Sequence, residues 1–292
     1  MTLRASACIA LLFALGLSNP GNAADMPLKA PPPPAVMSWT GFYVGGQVGG
    51  AWASRDVSYA ADDVPSAVLL GGLFGNPGEQ PVFPNSFRSS GVVGGIEAGY
   101  NWQIRRDWLW GVEVDFSGSS VRGQGASTSA IQATPVFFPQ TVSEQQNIDW
   151  YGTVRARFGW LPTDNLLLFA TGGFAYGQTS NSATFAIGGV TGASVTGTLG
   201  GSSFMCLSGG STCFAGASSS LKTGWTAGVG GEWMFAPRWS AKVEYQYVNL
   251  GNDSVTLTAL AVALPGNALS RFTANLGRDD FHVARVGVNF HF

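Results

Sequence analysis

The sequence predicts an all-β protein, an eight-stranded antiparallel up-and-down transmembrane β-barrel, on three observations. In residues 280–292 apolar and polar residues alternate up to Phe292, as in a strand with one face to lipid and the other to a lumen. Seven further segments have the length and composition of tilted strands that cross a bilayer. The connections between the segments are alternately short and long, which is typical of bacterial outer-membrane barrels.

The first 38 residues differ in composition from the predicted barrel. Arg4 is the only charged residue before Asp25, residues 7–17 form an unbroken apolar stretch, and Pro20 is followed by small residues. We therefore expect a secretory signal peptide over 1–23, because the apolar stretch is shorter than the roughly 18 to 20 residues of a spanning helix. Residues 24–38 contain a run of prolines that cannot donate ladder hydrogen bonds, so we expect a Pro-rich periplasmic tether there and the barrel domain over 39–292.

Each predicted strand has a face that we assign to lipid. In the first four strands the apolar residues of this face are Phe42, Val44, Val48 and Trp52; Val92, Ile96, Ala98, Tyr100 and Trp102; Trp110, Val112, Val114 and Phe116; and Trp150, Val154, Ala156, Phe158 and Trp160. In the last three strands they are Trp225, Val229, Trp233 and Phe235; Trp239, Ala241, Val243, Tyr245 and Tyr247; and Ala284, Val286, Val288, Phe290 and Phe292. The fifth strand, 166–177, is apolar on both faces, so the pattern leaves its register open.

The predicted connections are short at 105–107, 161–165 and 236–238, and long at 54–87, 118–147, 179–221 and 251–279. We place the short connections in the periplasm and the long ones outside the cell. The tryptophans of the lipid face fall at strand ends, where interfacial aromatic residues belong. A soluble β-sandwich is the alternative, but it would not carry charges opposite the apolar face of nearly every strand.

The opposite face of the strands predicts a charged lumen. Its five acids and four bases nearly cancel, and they are Glu97, Glu113, Asp115, Glu232 and Glu244 with Arg155, Arg157, Lys242 and Arg285. An eight-stranded barrel is just wide enough for its own side chains to fill, and an unpaired buried charge costs several kcal/mol. We therefore expect the charges to form a paired network that plugs the lumen, with a small diffusion pore as the alternative.

Two cysteines remain after the predicted signal peptide is removed. Cys206 and Cys213 flank a Gly/Ser-rich stretch in a chain with an export signal, so we expect a disulfide between them. A metal site there is disfavoured, because there is no second cysteine pair and the first histidine downstream, His282, is 69 residues beyond Cys213. We expect no metal and no cofactor.

The residue inventory also disfavours catalysis and nucleic-acid binding. The formal net charge is −2 with a pI of about 5.6, which lacks the basic footprint of a nucleic-acid binder. The only histidines are His282 and His291, and we interpret His282 beside Asp279 and Asp280 as an interfacial polar residue and not as a general base. Apolar clusters at 81–84 and 135–139 leave open a ligand or partner contact at the extracellular side, although packing of the loops on each other is the commoner cause.

Three segments resemble a known family. Residues 39–46 (WTGFYVGG), 94–102 (GGIEAGYNW) and 242–247 (KVEYQY) are similar to the small porin-like outer-membrane proteins of alphaproteobacteria, relatives of the OmpA-type barrel. The resemblance covers the strand scaffold of the mature chain, whereas the long connections match nothing recognisable. It implies an abundant eight-stranded surface antigen with structural roles, and it implies haemin binding for some relatives. It carries over neither a catalytic motif nor a haem ligand.

These observations predict a structural surface barrel of the cell outer membrane that is not an enzyme. Its lumen is charge-plugged and its extracellular loops are long; a small diffusion pore or a surface binder of haemin or another small molecule are the alternatives. The partners that we expect are outer-membrane lipid and the barrel-assembly machinery, the latter through the final strand with Phe292 as assembly signal.

Overall fold

The computed structural model describes residues 38–71, 85–133, 136–189, 194–207 and 209–292. The elements are β1 (Gly41–Ala61), α1 (Val64–Gly71), β2 (Asn85–Arg105), β3 (Trp108–Ala133), β4 (Val136–Thr163), β5 (Leu166–Ile187), β6 (Ser194–Leu199), β7 (Ser202–Leu207), β8 (Ser211–Ala236), β9 (Trp239–Ala259), β10 (Ala268–Leu269) and β11 (Arg271–His291). The predicted signal peptide, and the tether up to residue 37, lie outside the described residues. Within the described ranges, no helix is long and apolar enough to cross a membrane.

Eight strands close into a barrel in the order β1, β11, β9, β8, β5, β4, β3, β2. All neighbours in this ring are antiparallel, and β1 closes the ring against β11 with Val44 opposite Phe290 and Trp52 opposite His282. The predicted all-β, eight-stranded antiparallel barrel is therefore confirmed. Tight turns at 106–107, 164–165 and 237–238 join the strand pairs where short connections are predicted.

The membrane-spanning part of the barrel has apolar side chains outside and polar side chains inside. Val48, Ile96 and Val229 are more than half exposed on the outer surface, whereas Glu113 and Arg157 are fully buried in the lumen. Aromatic residues border the apolar band at both ends: Trp52, Trp150 and Trp225 at one end, and Trp102, Trp110, Trp160, Trp233 and Trp239 at the other. These two rows are the interfacial girdles that the sequence predicts.

The structure also resolves the register of the fifth strand, β5. Leu167 and Phe169 are buried in the lumen, and Leu168 and Phe174 are exposed to lipid. The two apolar faces therefore have different neighbours. One packs in the interior at the periplasmic end of the barrel, and the other belongs to the lipid-facing band.

The prediction of four long extracellular loops is wrong for most of their length. The β3–β4 ladder continues to the pair Ala133 and Val136, and the β5–β8 ladder continues to the pair Ile187 and Ser211. The physical reason is that the period-two pattern continues beyond the girdle with the opposite sense. There most inward residues are apolar, apart from one polar layer, and most outward ones are polar, as in a sheet that encloses a core in water.

This extracellular extension of the barrel has its own apolar core. Tyr59, Phe185, Phe214 and Phe272 pack at its centre, where their rings contact one another edge to face or tilted. Helix α1 contributes Ala67, Leu69 and Leu70 to the same core, and a small sheet in the order β10, β7, β6 contributes Phe204 and Cys206. The helix and the small sheet thus take part in closing the extracellular end.

Candidate functional site

The described side chains inside the barrel form alternating apolar and polar layers. The layer at the periplasmic end is apolar and consists of Trp39, Leu109, Leu161, Leu167, Phe169 and Met234. Above it lies the charged network, followed by a second apolar layer of Ala51, Ala53, Val93, Val121, Ile148, Tyr151, Ala175, Val248, Leu250, Phe281 and Val283. A second polar layer and the extracellular core complete the stack. The layers arise because the inward residues that lie at the same height on different strands are either mostly apolar or mostly polar.

Arg155 on β4 is the central cation of the charged network. Its guanidinium contacts Glu113 on β3 and Glu244 on β9, and its Nη2 lies 3.1 Å from Asp115 Oδ2. All four side chains have no solvent exposure. One guanidinium thus bridges three carboxylates on the two sides of the lumen, which is the multidentate geometry that suits arginine.

Arg157, two residues further along β4, has polar and aromatic neighbours. It contacts Glu232 and lies 3.6 Å from Glu113, and the hydroxyl of Tyr43 accepts a hydrogen bond from it at 3.2 Å. The same hydroxyl donates to Glu113 Oε2 at 2.6 Å. The guanidinium carbon of Arg157 lies 3.9 Å from the centroid of the Phe169 ring, which is cation–π geometry. This contact lies at the boundary to the periplasmic apolar layer.

Lys242 on β9 lies among three carboxylates. Its Nζ contacts Glu97 and lies 3.4 Å from Glu113 and 3.5 Å from Glu244. One carboxylate oxygen from each of the three acids lies within 4.8 Å of the other two, close enough for the three to hold a metal ion. The ammonium already contacts all three, so a metal ion would have to displace it.

Arg285 and Glu232 complete the network. Arg285 Nη2 lies 2.8 Å from Glu244 Oε2 and 3.3 Å from Asp115 Oδ2. Glu232 accepts hydrogen bonds from Ser240 and from Asn289, the latter at 2.8 Å, and it lies 3.4 Å from His291 Nε2. The structure therefore brings all nine charged residues singled out in the sequence into one buried network.

Several members of the network are uncharged, and charge alone does not reveal them. Tyr43, Thr153, Thr171 and Ser240 all hydrogen-bond to its charged groups. Each occupies an inward position of its strand, so the period-two pattern is the signal that finds them.

The second polar layer contains Arg55, which lies within the predicted long connection 54–87. Arg55 is buried on β1, and its guanidinium lies 2.6 Å from Asp279 Oδ1 and 3.1 Å from Asp280 Oδ1. Its Nε donates to Gln146 Oε1 at 2.8 Å. A register shift between Arg278 and Asp280 accompanies the contact of both neighbouring aspartates with one guanidinium.

The two predicted disulfide partners are neighbours in the extracellular core. Cys206 on β7 and Cys213 on β8 are buried free thiols that hydrogen-bond to each other. This hydrogen bond and burial raise the pKa of Cys206, while the same hydrogen bond lowers the pKa of Cys213. The disulfide itself stays a prediction, since it requires oxidation of this pair.

The two histidines differ in their surroundings. His291 is buried at the periplasmic end of the network, whereas His282 lies on the outer surface at the extracellular girdle. His282 Nδ1 is 2.6 Å from the hydroxyl of Tyr245, and its ring stacks on Trp52 with centroids 5.9 Å apart. Asp280 instead accepts a hydrogen bond from Tyr247 at 2.7 Å. These contacts are those of interfacial aromatic and polar side chains.

Comparison with known sequences places the chain among outer-membrane proteins. A family model described as outer membrane protein beta-barrel domain matches residues 11–292. The chain is 30% identical over 295 residues to the 31 kDa outer-membrane immunogenic protein of Brucella melitensis biotype 1, and the match covers 98% of each protein. The protein of the same name from Brucella suis biovar 1 matches with the same identity and coverage.

Solved structures with similarity to the chain include an outer-membrane protein and a surface protein. OprG from Pseudomonas aeruginosa is 10% identical, with 87% of this chain and 97% of that chain covered and a TM-score of 0.39. Neisserial surface protein A is 13% identical, with 87% and 98% covered and a TM-score of 0.31. The family match over nearly the whole sequence agrees with the closed barrel and its girdles, and the chain therefore belongs to the outer membrane protein beta-barrel domain family and is located in the cell outer membrane.

Proposed function

We propose that this protein is a structural and surface barrel whose lumen is closed by the charged network. The observation that carries the proposal is the pairing of the nine charged side chains. Each of them is buried and lies within 4 Å of at least one group of opposite charge. Such pairing balances the buried charges and fills the lumen with side chains, which supports a closed barrel over a wide aqueous channel.

Two features oppose the passage of ions. An ion that enters the network has to break existing pairs, and separating a buried pair costs about 3 to 5 kcal/mol. The apolar layers on both sides of the network add the cost of moving a charge through a section without polar partners. Together they support a closed barrel over the small diffusion pore that is the alternative.

Conductance in planar bilayers tests this proposal. The refolded full chain is expected to insert without steady single-channel openings, because the network and both apolar layers block the lumen. A matched preparation of a known porin, refolded in the same detergent, shows that insertion is detected. Large, steady openings from this chain would make the diffusion pore the better interpretation.

The extracellular extension is the part that we propose to act as the surface antigen. Its outward side chains are mainly polar, and the relatives from Brucella are described as immunogenic outer-membrane proteins. A second candidate function is ligand binding at this end, and exposed apolar side chains favour it. In the described part of the extracellular end they are Leu199, Leu207, Leu260, Leu264 and Leu269.

Haemin is the probe for this second function, since the family resemblance implies haemin binding for some relatives. A binder would shift the Soret absorption of haemin in a saturable way, whereas a purely structural barrel would leave it as in empty detergent micelles. Of the two apolar clusters noted in the sequence, residues 81–84 and 135 lie outside the described residues, and 136–139 begin β4. The ligand function therefore depends on the five leucines above.

A further inference from the structure

A polar groove on the outer wall of the barrel has properties that differ from the rest of the lipid-facing surface. Its described lining consists of Arg88 on β2, Arg122, Gly123 and Gln124 on β3, and Gln145 and Asn147 on β4, and its volume is about 470 Å³. Both arginines are exposed. No carboxylate is among the described residues that line the groove. The groove is thus an uncompensated positive patch with amide groups beside it.

The register places this patch at the edge of the bilayer. Trp52 of the extracellular girdle is paired with Ser90, Ser90 with Arg122, and Arg122 with Asn147, so one row crosses from the girdle to the groove. Arg88 is the next outward residue beyond Ser90 on β2. Interfacial tryptophans mark the level at which the acyl region ends and the headgroups begin. Arg122 is paired with Asn147, three residues beyond the girdle residue Trp150 on β4, so both guanidinium groups lie on the extracellular side of the girdle, next to the headgroup region.

The wall below the groove is apolar on the same strands. Val92 and Ile96 on β2 are 61% and 69% exposed, and Phe116 on β3 is 48% exposed. A molecule held by the arginines can therefore lay acyl chains along this surface. A free anion would make no contact with this apolar surface.

The chemistry of the lining selects the headgroup. Guanidinium groups bind phosphate through paired, charge-assisted hydrogen bonds. The register pairs Ser90 with Arg122, which sets Arg88 two residues away on the neighbouring strand, close enough for the two arginines to share one ligand. The amides of Gln124, Gln145 and Asn147 suit sugar hydroxyls, since an amide both donates and accepts hydrogen bonds. Asp56 on β1, paired with Ser86, lies diagonal to Arg88 on the side away from the membrane, and it is not among the residues that line the groove.

We propose that Arg88 and Arg122 bind the phosphate of a phosphorylated glycolipid in the outer leaflet, with its acyl chains on the apolar wall below. The site lies on the outer surface and does not depend on whether the lumen conducts. It gives this side of the barrel a preferred lipid neighbour, whereas the general band contacts any acyl chain.

The test is lipid binding by the refolded full chain in a nonionic detergent, measured by native mass spectrometry. The probes are bis-phosphorylated lipid A and the same lipid after removal of its phosphates. We expect the phosphorylated lipid to bind more tightly, and the double variant R88A/R122A to weaken its binding about tenfold, as loss of charge-assisted hydrogen bonds requires. The matched control R105A/R106A removes two exposed arginines from the periplasmic turn of the same hairpin, and it should bind as the unaltered protein does.

A second measurement needs no variant. Binding by the unaltered protein should weaken when salt rises from about 0.05 M to 0.5 M, because both guanidinium groups are exposed to screening. Equal binding of the two lipids, or unchanged binding by R88A/R122A, would overturn the proposal. Displacement of the lipid by millimolar inorganic phosphate would also overturn it, because the ligand would then be a free anion.

Discussion

At the scale of the residue, Arg155 shares with Lys242 the largest number of carboxylates within 4 Å, three each. It contacts Glu113, Asp115 and Glu244, and all four groups are buried. Lys242 and Arg285 also contact members of this acid group. They cannot replace Arg155, because Lys242 is also engaged with Glu97, and Arg285 contacts Asp115 and Glu244 but not Glu113.

Replacing Arg155 by alanine should therefore both destabilise the barrel and open it. We expect a loss of about 3 to 5 kcal/mol in the free energy of unfolding, because buried acids lose their partner. Conductance should rise from near zero to a measurable value. Urea unfolding followed by tryptophan fluorescence measures the first effect, and planar bilayers measure the second.

Arg105→Ala is the control for this experiment, because Arg105 is an exposed arginine at the periplasmic turn. It should change neither quantity. If Arg155→Ala had the same free energy of unfolding and the same near-zero conductance as the unaltered protein, this would contradict the closed network.

Glu144 in the extracellular extension makes the stability depend on pH. Tyr59 donates a hydrogen bond to it, and burial raises the pKa of the carboxyl to about 7. Because the folded pKa is raised, the protonated form is favoured in the folded state. The resulting stabilisation is complete below the ordinary pKa of about 4.5 and is lost as pH rises through about 7.

We therefore expect the melting temperature to fall between pH 5 and pH 8, and Glu144→Gln to reduce that fall. Other titrating groups are common to both proteins, so the difference between the two pH profiles isolates Glu144. Circular dichroism melts at both pH values give the comparison. Parallel profiles for the two proteins would show that Glu144 does not titrate in this range.

At the scale of the element, the thiol pair joins the small sheet to the barrel wall. Oxidation would link β7 to β8 across a closed loop of few residues, and the chain-entropy model gives about 2 to 3 kcal/mol for such a loop. We expect protein purified from the outer membrane without reductant to resist thiol alkylation after denaturation, and reduced protein to react at Cys206 and Cys213. Mass spectrometry counts the added groups. Reaction of both cysteines without reductant would contradict the disulfide.

The closing strand β11 ends beside β1 with a cluster of aromatic residues. The backbone N–H of Phe292 donates to the carbonyl of Phe42 at 3.0 Å, and its ring lies 5.6 Å from that of Phe42 and 5.1 Å from that of Phe290. Phe292→Asp should slow assembly and leave protein in the periplasm, since it removes the proposed assembly signal. Phe235→Asp is the control, an equal change at the periplasmic end of β8.

Fractionation of cells that express the two variants measures this effect. The proposal requires a larger loss from the outer membrane for Phe292→Asp than for Phe235→Asp. Equal losses would reduce Phe292 to an ordinary residue of the girdle.

The elements also show what a sequence reveals and what it does not. Period two assigns faces, so it predicts the membrane strands, the short turns and the set of inward charges. It does not predict partners, because Arg155 on β4 meets Glu244 on β9 across the lumen and the two strands are not neighbours. The pattern of lipid-facing apolar residues also does not predict the extensions of the strands beyond the membrane. On β1 the last lipid-facing apolar residue is Trp52. Beyond it the alternation continues with apolar residues inward, such as Val57 and Tyr59, so the strand continues although its lipid-facing pattern has ended.

At the scale of the whole molecule, one sheet encloses both a polar and an apolar interior. The membrane part has its apolar residues outside, and the extracellular part has them inside. The extracellular core packs around aromatic rings, and α1 and the small sheet cover it. The strands that cross the membrane therefore also form the wall around the extracellular core, while α1 and the small sheet supply its cover.

The reversal of polarity at the extracellular girdle also determines how the protein responds to bilayers of different thickness. A shift of one residue pair along the strands, roughly 7 Å, would bring an outward polar residue such as Ser54 towards hydrocarbon in one direction, or expose Val92 to water in the other. Neither displacement is favourable, so the barrel cannot relieve hydrophobic mismatch by sliding. We infer that the lipid shell deforms instead, and that a thicker membrane thins locally around this protein.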